Sequence, residues 1–211
     1  MAKFGLACEG ITDQIVLENI LCGYYHNNDD LDEEIVPLEP PRDETNKKQE
    51  EGTGGWTRLL TYLSESRFKD DVLNNEFVVI QIDTDISDEV GFDVFKSSLS
   101  TPDFIIKVIE RLVKEIGNDF FIENKNKILF AVSVHSLECW ILPIYKKYRS
   151  EKKNGCIEAL KREAKSFKTE KNYTNYNKLT QKFTKNKILL QMVKENISFD
   201  IFIKSLPTQI L

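Results

Sequence analysis

Apolar residues along the chain gather in two kinds of run: short, nearly continuous ones, and longer ones recurring every three or four positions. Lys3-Phe4-Gly5-Leu6-Ala7-Cys8 reads as a short buried strand closed by Glu9-Gly10, after which Thr12 can cap a helix whose apolar face is Ile15, Val16, Ile20 and Leu21. A second strand is expected around Glu34 to Leu38, ending at Pro40-Pro41. The polar stretch from Arg42 to Gly52 reads as a long loop, mobile or functional, with Gly54-Gly55 before Trp56. Trp56 to Ser66 then predicts a helix with Leu59, Leu60 and Leu63 on one side. Phe77-Val78-Val79-Ile80-Gln81-Ile82 is the clearest strand, apolar enough to be buried on both faces of a parallel sheet. Thr101-Pro102 opens a helix with Ile105, Ile106, Val108, Ile109, Leu112, Val113 and Ile116 at helical spacing. Ile128 to Val134 makes a fourth strand, and His135-Ser136-Leu137-Glu138-Cys139-Trp140 leads out of it into another helix.

Strands alternating with helices predict an α/β layered domain, with a mostly parallel four-stranded sheet between helices. From about Lys146 the pattern becomes helices joined by polar loops, with Ile188 to Val193 and Phe199 to Leu206 as the apolar stretches able to dock on the body. The expected division is thus residues 1 to 145 as the α/β body and residues 146 to 211 as a helical extension packed on it. A chain of 211 residues suits one such domain.

No stretch reaches the roughly 18 to 20 apolar residues of a membrane span, and the N-terminus lacks a basic-then-apolar leader, so a cytoplasmic protein with no membrane partner is expected. Cys8, Cys22, Cys139 and Cys156 are widely separated and form no CxxC pair, which argues against a disulfide framework or a structural zinc site. The net charge of −5 hides an asymmetry. Residues 1 to 145 carry 13 basic against 28 acidic side chains, whereas residues 146 to 187 carry 14 against 4. A basic segment on an acidic body offers a footprint to a phosphate backbone, and equally describes a solvated helical surface.

In an open parallel sheet, ligands bind beyond the carboxyl ends of the strands. The acids fall at that edge: Glu9 after the first strand, Asp83 and Asp85 after the third, Glu138 beyond the fourth. Gathered at one point they would repel one another unless a hard cation with oxygen ligands neutralised them, and magnesium suits a sparse set that leaves room for substrate phosphate. Each residue also has a plainer reading. Asp at a strand end commonly starts a turn, Asp13 and Glu138 suit the positive end of a helix dipole, and His135 fits a satisfied, partly buried imidazole. Trp56 and Trp140 fit packing roles.

The order of these acids resembles the Toprim superfamily, in which a Glu follows the first strand and a DxD the third. Here the pattern reads Ala7-Cys8-Glu9-Gly10-Ile11-Thr12-Asp13 and Ile80-Gln81-Ile82-Asp83-Thr84-Asp85. The short EG-x-T-D form is similar to the small stand-alone branch related to the OLD nucleases. Gly54-Gly55-Trp56, the His135 to Trp140 exit, Tyr176-Asn177-Lys178 and Ile197-Ser198-Phe199-Asp200-Ile201-Phe202 resemble further segments of that branch. The resemblance implies a Toprim-like, Rossmann-like fold and magnesium-dependent (or manganese-dependent) cleavage of DNA or RNA, transfer RNA included. It gives Glu9 the role of metal ligand or general base, Asp83 and Asp85 those of metal ligands, and Asp13 and Glu138 those of a second metal's ligands. It makes Lys178 a late basic residue for the scissile phosphate, where a solvent-facing lysine is the plainer reading.

Small proteins of this branch often work with an ATPase in bacterial defence against phage, so an ATPase partner is expected. The chain itself has no GxxxxGK[ST] loop. A homo-oligomer is compatible with the same pattern. A regulator that kept the fold without the chemistry, and a glycosyltransferase holding manganese through its DxD, are the competing classes.

Overall fold

The computed structural model describes residues 2–42, 55–147, 151–164 and 171–210. Four strands form one sheet: β1 (Ala2–Ala7), β2 (Ile35–Glu39), β3 (Asn75–Asp83) and β4 (Ile128–Ser133). Every pairing is parallel and the order is β2-β1-β3-β4, so all four strands deliver their carboxyl ends to one edge. β1 and β3 are the two central strands, which is why both are built from near-continuous apolar runs.

Period-two alternation divides the sheet's side chains between two cores. Phe4, Leu6, Val79, Leu129 and Ala131 face one, and Val78, Ile80, Ile82, Ile128 and Val132 face the other. Helices α2 (Trp56–Ser64), α3 (Ser66–Asn74) and α4 (Thr101–Ile116) cover the second face, with α5 (Asn118–Asn124) beside α4. On the first face α1 (Ile11–Tyr24) packs against α8 (Tyr173–Thr180) and α9 (Asn186–Met192), and α6 (Glu138–Ile141) and α7 (Cys156–Glu163) add to the same core.

The last helix, α10 (Ile197–Ser205), sends Phe199 and Phe202 into the first core while Ile201 packs against the second. Ser198 links it to the sheet: its hydroxyl accepts from Trp140 Nε1 at 2.7 Å and from the Val134 amide at 3.3 Å. Trp140 is fully buried, stacked on Phe202 and edge-on to Phe199, in the packing role expected of it. Trp56 packs against the second core and meets Phe92 edge-on. Gly23 permits a close approach of α1 to Phe183, since a Cβ there would stand 1.8 Å from the Phe183 carbonyl oxygen. The helices after residue 146 thus share one core with the first half of the chain.

Three local expectations change. α1 starts at Ile11 behind Gly10, without a side-chain cap, so Thr12 lies inside the helix. The helix expected over Trp56 to Ser66 is two, broken at Glu65. Cys139 and Cys156 are joined by a disulfide across 17 residues, a single bridge where the spacing of the cysteines argued against a disulfide framework; Cys8 and Cys22 are free. Nearly all of the polar segment expected as a long loop, and Gly54 with it, lies outside the described residues. Among the described residues no helix is long and apolar enough to cross a membrane.

Candidate active site

The acids gather where β1, β3 and β4 end. Glu9 follows β1 directly, and because β1 and β3 are neighbours its Oε1 accepts a 2.6 Å hydrogen bond from the Asp83 amide. Its carbonyl accepts from the Gly55 amide at 2.8 Å, which fixes the start of α2 against the same corner; Gly55 has φ 114°, a conformation that favours glycine. Asp13 lies in the first turn of α1, where the Gly10 amide and the Thr12 hydroxyl both favour its ionised form.

Asp83 Oδ1 accepts from Gln81 Nε2 at 2.9 Å and from the Leu137 amide at 3.0 Å, so the DxD turn and the exit of β4 are stitched together. His135 completes the stitch with its backbone. Its carbonyl accepts from the amides of Thr84 and Asp85, each at 2.9 Å, and its amide donates to Thr84 Oγ1 at 2.8 Å. This holds His135 at φ 71°, a left-handed conformation that is costly for a residue with a Cβ and persists where neighbours enforce it. The His135 Nδ1 is buried and has no hydrogen-bond partner. Asp85 is the exposed member of the acidic set.

Glu138 is 3 % exposed at the start of α6. The Tyr176 hydroxyl donates to its Oε1 at 2.6 Å, and the Lys171 ammonium lies 3.0 Å from the same oxygen. The late Tyr176-Asn177-Lys178 segment is thereby explained residue by residue. Tyr176 holds Glu138, Asn177 Oδ1 accepts from Asn19 Nδ2 on α1 at 3.2 Å, and Lys178 is exposed. Two residues along a helix turn the side chain by about 200°, so Tyr176 and Lys178 face opposite ways. The lysine in contact with Glu138 is Lys171, a residue the sequence reading did not single out, whereas Lys178 was the lysine expected there. No local pattern distinguishes Lys171 among the many lysines of its segment.

Mutual repulsion is written into the carboxyl groups. Burial, then Asp13 nearby, pushes Glu9 up to about 8 despite the Asp83 amide. Burial, then Glu138, pushes Asp13 up to about 7. Asp83 is raised well above the carboxylate range by burial and by Asp13, Glu9, Glu138 and Asp85 around it. Asp85 is raised by burial, with His135 opposing. Glu138 goes the other way: burial would raise it, but the Lys171 charge and the hydrogen bonds from Tyr176, Ser136 and Lys171 outweigh burial and hold it below its ordinary value. All five acids predicted at the site therefore sense one another.

Among the described residues no three acidic, histidine or cysteine side chains stand together in a metal-holding arrangement. The donor chemistry nonetheless fits a hard divalent ion. The set is all carboxylate, among the described residues Glu9, Asp13 and Asp83 have no ion pair with a basic side chain, and magnesium needs only one or two of them beside water. Comparison with protein families, with curated proteins and with solved structures finds no match.

Proposed function

We propose that this chain is a magnesium-dependent nuclease of Toprim type, hydrolysing phosphodiester bonds in DNA or RNA. The observation that carries the reading is the meeting of Glu9, Asp13, Asp83, Asp85 and Glu138 at one edge of a parallel sheet, with carboxyl groups held up by burial and one another's charge. Glu9, Asp83 and Asp85 are the residues that would hold the ion. Glu138 already has Lys171 and Tyr176 on one oxygen, which weighs against a second ion there. When bound, a divalent ion would neutralise the cluster, polarise a phosphate oxygen and lower the pKa of an attacking water. Lys171, held beside the acids by Glu138, supplies positive charge for the phosphate as it gains charge in the transition state. The Asp83 and Leu137 amides orient the carboxylates of Glu9 and Asp83.

A chain with this site and no P-loop fits an effector working in the cytoplasm with a separate ATPase, as in defence against phage. A second reading, a regulator with the fold and without the chemistry, is favoured by one feature. Glu9 and Asp83 each spend an oxygen on a backbone amide, and no three ligands converge. Manganese titration followed by cleavage assays on DNA, RNA and transfer RNA separates the two. Manganese binding with cleavage, both lost in Asp83→Asn, supports the nuclease; binding without cleavage by the chain, with or without an ATPase partner and ATP, supports the regulator; no binding refutes the metal site.

A further inference from the structure

α6 continues through a 3-10 turn, Leu142–Ile144, into Tyr145 and a pair of lysines. There a cleft of about 360 Å³ opens between this segment and α9. Its rim carries Lys146, Lys147, Lys182 and Lys185, all exposed, and its floor is apolar, with Ile188 and Met192. The volume is that of a pocket for one small ligand unit. Lys146 and Lys147 are steadied by Glu163 at 2.6 Å and Glu195 at 3.4 Å. Lys182 lies over the Tyr145 ring, 4.9 Å from its centroid, and neither it nor Lys185 has an acidic partner among the described residues.

Such a cleft is basic at its mouth and greasy within, on a chain whose first 145 residues carry more than twice as many acids as bases. Charge complementarity therefore selects a polyanion and the floor selects one with an apolar face. A nucleic-acid strand has both: phosphates for the lysines and a base for Tyr145, Ile188 and Met192. The cleft is also tied to the acids. The eight residues from Glu138 to Tyr145 are largely helical, and their seven steps span about 10 Å. On α8, Tyr176 holds Glu138 while the Leu179 carbonyl accepts from the Tyr145 hydroxyl at 2.6 Å.

We propose that this cleft is a substrate subsite, seating an unpaired nucleotide of a single strand next to the one presented to the acids. The inference deepens the nuclease reading and rests on it for the direction of the strand, though binding is measured without cleavage. Fluorescein-labelled single-stranded DNA and RNA 15-mers are titrated against Asp83→Asn protein by anisotropy over a range of salt. Adding Lys182→Glu and Lys185→Glu is expected to weaken binding about tenfold or more and to reduce the slope of log K against log salt by about 1.4, for two phosphate contacts on a single strand. Lys182→Arg with Lys185→Arg is expected to restore both. Unchanged affinity and slope in the Glu pair, loss of binding in the Arg pair, or no binding of either oligomer by the starting protein would each overturn the subsite. Intact lysine-dependent binding with no manganese-supported cleavage by the wild-type chain would instead remove the nuclease reading and leave the subsite standing.

Discussion

Lys171 and Tyr176 meet on the same oxygen of Glu138, the ammonium at 3.0 Å and the hydroxyl at 2.6 Å. One of five clustered acids thus has a basic side chain in direct contact, and among the described residues none of the other four has an ion pair of its own. Charge is consequently uneven within the site, and the consequences can be measured.

Removing a repelling carboxylate should relieve the folded chain. Asp83→Asn and Glu9→Gln are expected to abolish metal-supported cleavage while leaving the metal-free melting temperature unchanged or higher. A drop of several degrees in either variant would mean that these carboxylates hold the fold together instead of straining it.

The pH dependence follows with a definite sign. Glu9 and Asp13 bind their protons more tightly in the folded chain, up to about 8 and about 7, than in an unfolded one, where carboxyls titrate near 4. Folding then carries extra protons over that window, so stability is greatest below about pH 4 to 5 as far as these two groups decide it, and falls as pH rises towards 8. Metal-free protein is expected to melt lower at pH 8 than at pH 5.5, and magnesium at pH 8 to recover the difference. Glu138, held low, works in the opposite sense below its unfolded pKa and leaves the trend between pH 5.5 and 8 untouched.

Lys171 and Lys178 should separate cleanly. Lys171→Met is expected to reduce cleavage about a hundredfold, as loss of a charge-stabilising donor does. Its effect on stability should stay within about 1 kcal/mol, because the side chain is 54 % exposed and its ion pair is screened by solvent. Lys178→Ala should leave cleavage unchanged, and equal losses in both variants would remove Lys171 from its place.

The approach of Gly23 to Phe183 sets a steric test. Gly23→Ala would press a methyl group onto the Phe183 carbonyl, where backbone must move. A loss of about 3 kcal/mol or more is expected, at the upper end of overpacking, read by urea unfolding.

The Cys139–Cys156 bridge follows the loop it closes. Cys156→Ser, or reduction, is expected to cost about 3 kcal/mol for a loop of this size. Mass spectrometry without reductant should find the intact chain two hydrogens lighter than its fully reduced form. Such a bond is unusual in a reducing cytosol, so protein prepared with and without reductant should differ in melting temperature.

What could be read from the sequence was whatever is local and repetitive. The run from Phe77 to Ile82 and that from Ile128 to Leu129, Phe130, Ala131 and Val132 have one reading, and the acids that end them lie at the edge that parallel strands dictate. α3 escaped because only Phe68 and Val72 are buried on it, one i,i+4 pair in a polar segment. α5 buries no residue and left no periodic trace. Lys171 and the cysteine pair escaped for a different reason: each partner is supplied by the fold across a distance that carries no pattern. Thr12 was read as a cap on its residue type alone, whereas the helix begins at Ile11 behind Gly10, which leaves Thr12 inside its first turn beside Asp13.

The position of α10 also decides how this molecule can meet others. It straddles β4, with Phe199 and Phe202 on one side of the sheet and Ile201 on the other, so it lies over a margin where a further strand would add. At the opposite margin β2 is five residues long and carries Pro37, a ladder position without a donor. Neither border invites a strand from a neighbour. Association by sheet extension is disfavoured from both sides, which leaves helices and loops as the surfaces by which another chain could be engaged.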